Sequence, residues 1–356
     1  MTTTPRVVVV GAGVAGLSVT AALVAAGLDV RCLEATGRVG GRLLSLDVAG
    51  GSLDLGATWF WAGERRVARL VEHLGVTTFP QHIAGDAMYE DGRGIRRLDG
   101  NPIDVPAYRY LAGAQSLADG LAGGLPPGAV TLSSPVTSIS ADGDRLQVDC
   151  DGVAALCAEH VVLAVAPALA VARIRFTPAL PERVGMLAAA TPVWMGAISK
   201  VVIQYPEAFW RTDGLAGAAI SARGPLREIH DMSGPAGHPA ALFGFAPNAV
   251  GEPAMAAEQV VAQLVRLFGP RAAHPERVVP CDWAAAAYTS PADVGSRTSY
   301  ELFGHRLFTE PAFAGRLHWA GTETSQVNPG HVEGALAAGE RAAAAVIAAL
   351  SGRGVS

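Results

Sequence analysis

The sequence predicts an α/β protein in which a parallel-sheet domain carries a smaller α+β domain with a mixed or antiparallel sheet. Three observations lead to this fold class. Residues 6–42 run as strand, glycine-rich turn, helix and strand, and residues 317–347 again contain a strand followed by a helix. Between them lie short apolar segments typical of sheet strands. We therefore expect the two ends of the chain to form one domain and the middle to form most of the second.

The N-terminal segment has the spacing of a dinucleotide-binding turn. Gly11, Gly13 and Gly16 form Gly-x-Gly-x-x-Gly directly after the apolar strand Val7–Val10. The first glycine makes the tight turn, the second lets the backbone approach a pyrophosphate, and the third lets helix and strand pack closely. The helix that follows, at about 14–26, directs its N-terminal N–H groups toward that pyrophosphate.

An acidic residue follows at a suitable distance. Glu34 ends the strand Val30–Leu33, 18 residues after Gly16, where a carboxylate can accept hydrogen bonds from a ribose. The uncharged run 7–28 also imitates a signal peptide, but cleavage near Ala26 would separate the phosphate turn from Glu34. The segment therefore predicts a Rossmann-like domain that binds a dinucleotide.

Composition favours a cytoplasmic enzyme with a small-molecule substrate and excludes several other classes. The net charge is −5 and no basic stripe is present, so we expect no nucleic-acid partner and no anionic membrane partner. Beyond the N-terminal run, we expect no apolar stretch long enough to span a bilayer. The four cysteines and nine histidines lack metal-ligand spacing, so we expect no metal site. Composition leaves the oligomeric state open.

Lysine is almost absent from the chain. Of its 27 basic residues, 26 are arginines and one is Lys200, which lies in the apolar segment 198–203. A desolvated lysine is a compact charge that can lose its proton, which arginine cannot do. The alternative is a lysine at the edge of a strand that points to solvent.

The C-terminal segment predicts a second part of the same site. A short strand leads into the turn Gly321-Thr322-Glu323 and then into a helix from about His331. The start of that helix offers free N–H groups and a positive dipole end. An ordinary terminal helix would leave the turn unexplained.

Together these stretches resemble the FAD-dependent amine oxidases of the monoamine and polyamine oxidase type, over nearly the whole chain. Further parts of the resemblance are Asp54-Leu55-Gly56-Ala57-Thr58-Trp59, Phe209-Trp210, Phe243-Gly244-Phe245, Trp283, Tyr288-Thr289 and Ala320–Thr324. The resemblance implies that FAD accepts a hydride equivalent from the carbon next to nitrogen. The amine becomes an imine, which hydrolyses to an aldehyde, and O2 becomes H2O2.

The resemblance also implies roles for individual residues. Lys200 would hold a water near flavin N5, Arg42 would contact the pyrophosphate, and Val136 would contact the adenine side through its backbone. FAD contacts are expected from Gly11, Gly13, Val14, Ala15, Gly16, Glu34, Ala35, Arg38, Gly40, Gly41, Arg42, Gly56, Ala57, Thr58, Val136, Trp283, Gly321, Thr322, Glu323, His331 and Val332. The expected catalytic residues are Lys200, Tyr288 and His331, and the expected substrate walls are Trp59, Phe60, Phe245 and Tyr288, with Trp61 as a further candidate.

The chain departs from the family at two positions. Covalent members carry a cysteine immediately before the Tyr-Thr pair, where this chain has Ala287, so we expect FAD to be held without a covalent bond. The second wall of the amine cage is usually aromatic, and here it is the titratable His331. Only about thirty residues separate the first FAD segment from Gly113, so we expect a small substrate domain and an open cavity.

The expected FAD-binding domain comprises residues 1–80, 113–183 and 281–356, and the substrate domain comprises 81–112 and 184–280. The substrate-domain sheet is expected near 197–205, 227–232 and 240–246, with a helix at 254–268 covering one face. Glu228 and His230 fall on one of these strands. Either residue could face the cavity, and the alternative for His230 is a structural role within the strand.

An amine must be neutral before it can lose a hydride, and an aromatic cavity favours the neutral form by desolvation. The resemblance also bears on the substrate, because amino-acid-oxidising relatives tend to have an arginine after this Gly-Ala pair to bind the substrate carboxylate. Here Thr58-Trp59 follow Gly56-Ala57, which favours amines over amino acids. The alternatives are an FAD-dependent desaturase, dehydrogenase or amino-acid oxidase acting on a secondary metabolite, and a catalytically silent flavin-binding protein.

Overall fold

The computed structural model describes residues 5–247, 256–293 and 300–352. The strands are β1 (Val7–Val10), β2 (Val30–Leu33), β3 (Ser45–Val48), β4 (Gly51–Asp54), β5 (Thr78–Pro80), β6 (Asp86–Asp91), β7 (Gly94–Arg97), β8 (Tyr108–Tyr110), β9 (Val130–Thr131), β10 (Val136–Asp142), β11 (Arg145–Cys150), β12 (Leu156–Ala158), β13 (His160–Leu163), β14 (Arg175–Thr177), β15 (Ile198–Tyr205), β16 (Leu215–Ser221), β17 (Glu228–Asp231), β18 (Ala240–Pro247), β19 (Arg277–Asp282) and β20 (Leu317–Trp319). The helices are α1 (Val14–Ala25), α2 (Arg65–Leu74), α3 (Gln115–Gly123), α4 (Pro167–Arg173), α5 (Glu182–Ala190), α6 (Phe209–Thr212), α7 (Ala257–Phe268) and α8 (Val332–Ser351).

A five-stranded parallel sheet brings the two ends of the chain together. Its strand order is β20-β13-β1-β2-β9, and every neighbouring pair is parallel. All four residues of β1 are buried, as the uninterrupted apolar run of a central parallel strand predicts. The predicted α/β fold class is confirmed, and α1 ends within one residue of its predicted end.

Close backbone packing holds α1 between this sheet and α8. A Cβ atom added to Gly16 would lie 1.9 Å from the carbonyl oxygen of Gly11. A Cβ atom added to Gly339 on α8 would lie 2.5 Å from Oγ of Ser18. By length and composition alone, α8 could cross a membrane, which the sequence analysis did not foresee, yet 44% of its apolar window is buried inside the protein.

Four further sheets lie in the described part of the chain, and two of them are two-stranded, β3-β4 and β5-β8. A four-stranded sheet has the order β12-β11-β10-β14, and a seven-stranded sheet has the order β19-β15-β18-β17-β16-β6-β7. The seven-stranded sheet is mixed because β16 pairs in parallel with β6, whereas its other pairs are antiparallel. The sequence analysis predicted β15, β17 and β18 but missed β16 and the four-stranded sheet. The residue bounds of the two domains stay a prediction.

The two faces of the seven-stranded sheet differ in what covers them. On one face, Val201 and Ile203 pack against Val260 and Leu264 of α7, so α7 covers this face, as predicted. The first residues of the predicted helix, 254 and 255, lie outside the described residues. On the other face, the antiparallel register aligns Lys200 of β15 with Phe245 of β18, and Phe245 with Glu228 of β17. Directly opposed residues share a face, so these three side chains form a row.

Gly16→Ala should destabilise the protein and impair FAD binding, because the new methyl group would overlap the Gly11 carbonyl. We expect the free energy of unfolding to fall by about 3 kcal/mol, at the upper end for core overpacking. Urea unfolding and the flavin absorbance of the purified protein measure the two effects. Gly185→Ala is the matched control, since Gly185 lies in α5 with nothing within 4 Å of the added atom. Equal effects of both substitutions would contradict the prediction.

Candidate active site

A cavity of about 670 Å³ lies between the parallel sheet and the face of the seven-stranded sheet that carries Lys200. It is lined by Gly11 after β1, by Glu34 after β2 and by Ala164 after β13. The carboxyl ends of parallel strands are the usual ligand-binding edge of open α/β sheets. The volume lies within the range of cofactor and substrate pockets.

Most residues predicted for the site line this one cavity. They are Gly11, Gly13, Val14, Ala15, Glu34, Arg38, Gly40, Gly41, Arg42, Gly56, Ala57, Thr58, Trp59, Trp61, Lys200, Phe245, Trp283, Tyr288, Gly321, Thr322, His331 and Val332. Segments from both ends and from the middle of the chain therefore contribute to the same space.

Five predicted residues do not line the cavity. Gly16 is buried under the turn, Ala35 lies between the lining residues Glu34 and Thr36, and Val136 is buried at the start of β10. Val136 stays near the nucleotide end of the site, because the N–H of Ser134 donates to the Glu34 carbonyl oxygen at 2.8 Å.

Phe60 does not form a substrate wall as expected. Its ring stacks on Tyr108 and Tyr110 with centroid distances of 5.4 and 5.2 Å, and it is buried in the core beside α1. Trp59 and Trp61, its neighbours in the sequence, do line the cavity. In extended chain, successive side chains point to opposite sides, which separates Phe60 from its two neighbours.

Glu323 reaches the site through Arg42. The guanidinium of Arg42 donates to Glu323 through Nη1 at 2.6 Å and through Nη2 at 3.2 Å. Glu323 is fully buried, whereas Arg42 lines the cavity. A two-bond contact of this kind fixes the orientation of the guanidinium.

Sequence reasoning missed several lining residues. They are Thr36, Leu43, Ala164, Val165, Ala166, Leu169, Trp194, Met195, Ile198, Arg227, Pro247, Thr289, Gly330 and Ala335. The segment 164–166 follows a strand of the parallel sheet, so its position could have been predicted. Trp194 and Met195 precede β15 in irregular chain, where no periodic signal was present.

The turn after β1 fits a bound diphosphate. Among the residues that the structure describes, no side chain caps the N-terminal N–H groups of α1, and the first turn of α1 contains no acidic residue. These groups and the helix dipole form a positive end at the cavity. Gly11 and Gly40 have φ angles of +97° and +105°, and a Cβ atom on Gly40 would lie 2.8 Å from the Leu43 carbonyl oxygen. The residues present therefore fit a dinucleotide cofactor.

The Glu34 carboxylate is held at the end of β2. Its Oε2 accepts the N–H of Ala12 at 2.8 Å, and its Oε1 accepts the N–H and hydroxyl of Thr36 at 2.9 and 2.8 Å. Carboxylate oxygens have about four acceptor positions between them. The geometry leaves capacity for a ribose hydroxyl.

Lys200 is a buried ammonium group rather than the solvent-exposed alternative. Its side chain is 2% exposed, and β15 lies between β18 and β19. Nζ donates to the Gly56 carbonyl oxygen at 2.9 Å and to the Thr58 hydroxyl, and it lies 4.2 Å from the centre of the Phe243 ring. Burial lowers the pKa of Lys200 to about 7, although the Asp54 carboxylate opposes this shift.

Glu228 is a cavity-lining carboxylate with two groups behind it. Its Oε1 lies 3.0 Å from Nε2 of His230, whose Nδ1 lies 2.5 Å from Oδ1 of Asp104. The hydrogen bond from His230 lowers the pKa of Glu228. Burial opposes charging of His230, but the two carboxylates prevail and raise the pKa of this imidazole. His230 therefore does not line the cavity itself, but it contacts the cavity-lining Glu228 through a hydrogen bond.

All four cysteines belong to the described residues, and none lines the cavity. Cys281 of β19 is half-buried beside Lys200, and burial raises the pKa of its thiol. In the described ranges 5–247, 256–293 and 300–352, no cluster of three or more His, Cys, Asp or Glu side chains has the geometry of a metal site.

Two family models match this chain. The family described as flavin containing amine oxidoreductase matches residues 105–347, and the NAD(P)-binding Rossmann-like domain matches residues 9–74. The first match covers more than half of the chain.

Individual relatives match nearly end to end. The probable flavin-containing monoamine oxidase A of Dictyostelium discoideum is 26% identical, over 96% of this chain and 97% of the relative. Putrescine oxidase of Kocuria rosea is 26% identical, over 96% and 95%. The solved structure of cyclohexylamine oxidase from Brevibacterium oxydans has a TM-score of 0.84 at 23% identity, over 98% of this chain and 100% of that chain. This last likeness concerns the fold.

Lys200→Met should change how stability depends on pH. The pKa of Lys200 is about 7 in the folded protein and 10.5 ordinarily, so the unfolded chain binds more protons between these values. Stability of the parent should therefore rise with pH through this window, by up to about 1.4 kcal/mol per pH unit. The stability difference, variant minus parent, should be largest below pH 7 and shrink toward pH 10. Urea unfolding at several pH values measures it, and a constant difference would contradict the assignment.

Proposed function

The chain belongs to the flavin containing amine oxidoreductase family, and on that premise we propose that its cavity has a cofactor half and an amine half. The enzyme is an FAD-dependent amine oxidase. It oxidises an amine C–N bond to an imine, which is hydrolysed to an aldehyde, while O2 is reduced to H2O2. One observation supports this division into two halves: the dinucleotide turn and the buried Lys200 line the same cavity.

In the cofactor half, we assign the N-terminus of α1 and Arg42 to the pyrophosphate and Glu34 to the ribose. When bound, FAD supplies the acceptor for the hydride equivalent that leaves the amine. We propose that this binding is non-covalent, because Ala287 precedes Tyr288 and no cysteine of the chain lines the cavity.

In the amine half, aromatic side chains exclude water from the reacting nitrogen. Trp59, Trp61, Phe245 and Tyr288 line this part of the cavity. A lysine-like ammonium is neutral in less than about 0.1% of molecules at pH 7, a deficit of about 4–5 kcal/mol. Desolvation by these rings penalises the charged form and reduces the deficit.

Lys200 is assigned to a water molecule beside the flavin. An ammonium group has three donors, and two of them bind Gly56 and Thr58. The third remains for a water in the cavity. Because the pKa of Lys200 is about 7, this group can change its charge under physiological conditions.

We further propose a soluble, cytoplasmic protein. Support comes from α8, whose apolar side chains Leu336, Ala343 and Val346 pack in the core with α1. Fractionation of a lysate checks this, since a flavoprotein recovered only with detergent would oppose it.

Anaerobic mixing with a panel of mono-, di- and cyclic amines should bleach the flavin absorbance for at least one amine. Air should restore the colour and release H2O2, which a peroxidase assay measures. In Lys200→Met, FAD binding should persist while re-oxidation slows markedly. If no amine bleaches the parent enzyme, the oxidase assignment fails, whereas equal re-oxidation rates would refute only the role of Lys200. Electron transfer to artificial acceptors alone would indicate a dehydrogenase.

We propose that the preferred substrate carries a second positive charge. The Glu228 carboxylate lines the cavity with its lowered pKa, and strand spacing sets its backbone about 10 Å from that of Lys200, two strands away. A diamine bound by one nitrogen near Lys200 could place its other ammonium against Glu228. The similarity to an enzyme named putrescine oxidase agrees with such a substrate, since putrescine is a diamine.

Glu228→Gln should raise KM for a diamine about 10- to 100-fold, as expected for loss of a charged hydrogen bond. KM for a monoamine of similar length should change little. Steady-state peroxide release measures both values. Glu258→Gln is the matched control because Glu258 is exposed on α7, which covers the opposite face of the sheet. Equal changes for both substrates would contradict the proposal.

A further inference from the structure

We propose that Glu64 and His331 form a proton-accepting pair: the neutral imidazole takes a proton from the bound substrate ammonium, and the buried carboxylate stabilises the imidazolium. The proposal rests on the proposed function because it concerns the same cavity. It adds Glu64, which no sequence motif indicated, as the positioning residue of this step.

His331 lies at the cavity with one ring nitrogen engaged. It immediately precedes α8 and lines the cavity, and its side chain is 31% exposed. Its Nδ1 lies 2.9 Å from Oε1 of Glu64. Within the described residues, Nε2 has no hydrogen-bond partner. The ring is thus fixed at one nitrogen and available at the other.

Glu64 is arranged to carry a negative charge. The residue is 3% exposed and immediately precedes α2, where the helix dipole favours an anion. Its Oε2 accepts the N–H of Trp61 at 3.1 Å, while Oε1 faces His331. Because a carboxylate only accepts hydrogen bonds, Nδ1 of His331 carries the hydrogen. Nε2 therefore holds the lone pair that can take a proton.

The surroundings strengthen this pair. The rings of Trp61 and Trp194 lie 5.3 and 5.9 Å from the His331 ring, and they reduce the local dielectric. Glu333, two residues along α8, binds instead to Arg66 and to two N–H groups of α2. The other charged groups that line the cavity are Glu34, Arg38, Arg42, Lys200, Arg227 and Glu228. Within the described residues, neither Glu34 nor Glu228 forms a hydrogen bond with the His331 imidazole, whereas Glu64, behind the cavity wall, does.

The proton transfer balances without an added reactant. One N–H bond of the ammonium breaks, a new N–H bond forms at Nε2, and the electron pair stays on the substrate nitrogen. That lone pair then assists loss of the hydride equivalent. In water the proton favours an alkyl ammonium over an imidazole, and desolvation of the substrate ammonium in the aromatic cavity opposes this preference. The enzyme can therefore use the abundant ammonium form of its substrate.

The pH dependence of anaerobic flavin reduction tests the pair. At saturating amine and pH 7, Glu64→Gln and His331→Phe should reduce flavin about 100-fold more slowly, the usual scale of general-base catalysis. Both variants should recover as the pH approaches that at which the amine is itself neutral, and Glu64→Asp should retain part of the parent rate. Glu72→Gln, an exposed change on the same helix, should match the parent. Parent-like pH profiles in both pair variants would overturn the proposal.

A second readout does not depend on turnover. In FAD-loaded enzyme with ¹⁵N-labelled histidine, the signal lost in His331→Phe identifies His331. The neutral form of His331 should be the Nδ1–H tautomer, and its Nε2 signal should shift when tert-butylamine binds, since this amine can occupy the cavity but has no hydrogen to lose from the carbon next to nitrogen. A neutral ring that carries its hydrogen on Nε2, or an Nε2 signal that does not respond to the bound amine, overturns the proposal. Failure of the proposed function looks different, because then no amine reduces even the parent.

Discussion

The close approach of α1 to its neighbours is the constraint on which the whole site depends. Gly16 lets the helix touch the turn after β1, and Gly339 lets α8 touch the other side of the helix. This packing directs the uncapped N-terminus of α1 at the cavity and sets the start of α8, with His331, at the same space. A helix one methyl group further away would separate the cofactor half of the cavity from the residues that face the amine.

The parallel-sheet domain could be predicted because its signals are local. Glycine spacing, an uninterrupted apolar strand and a helix of matching length all occur within residues 7–34. Within the four-stranded sheet, β10 and β11 form a hairpin with a two-residue turn at Gly143-Asp144, a local signal that the sequence analysis did not use. The strand β16 escaped prediction because its pairing depends on a distant partner. It pairs in parallel with β6, more than a hundred residues earlier. Local sequence carries no record of such a partner.

At the active site, the sequence predicted which residues take part better than it predicted where their side chains point. The single lysine in an apolar strand indicated Lys200, but its partners Gly56 and Thr58 come from 144 and 142 residues away. Trp59, Phe60 and Trp61 were all expected to form cavity walls. Because successive side chains alternate in direction along extended chain, Phe60 points into the core instead. Glu64 stands beside Arg65 and Arg66 in the sequence, and no local signal indicates that its own carboxylate is buried against His331. Charges in this cavity are therefore set by contacts between distant segments.

The sheet order has a consequence for biosynthesis. The strand β1 and helix α1 leave the ribosome early, but β20 and α8 follow about three hundred residues later. At typical rates of translation, the uncharged α1 remains uncovered on the α8 side for tens of seconds. An exposed apolar helix is a natural target for chaperones during that interval. The wall of the cavity that Gly330, His331 and Val332 provide is therefore added last, about three hundred residues after the phosphate-binding turn.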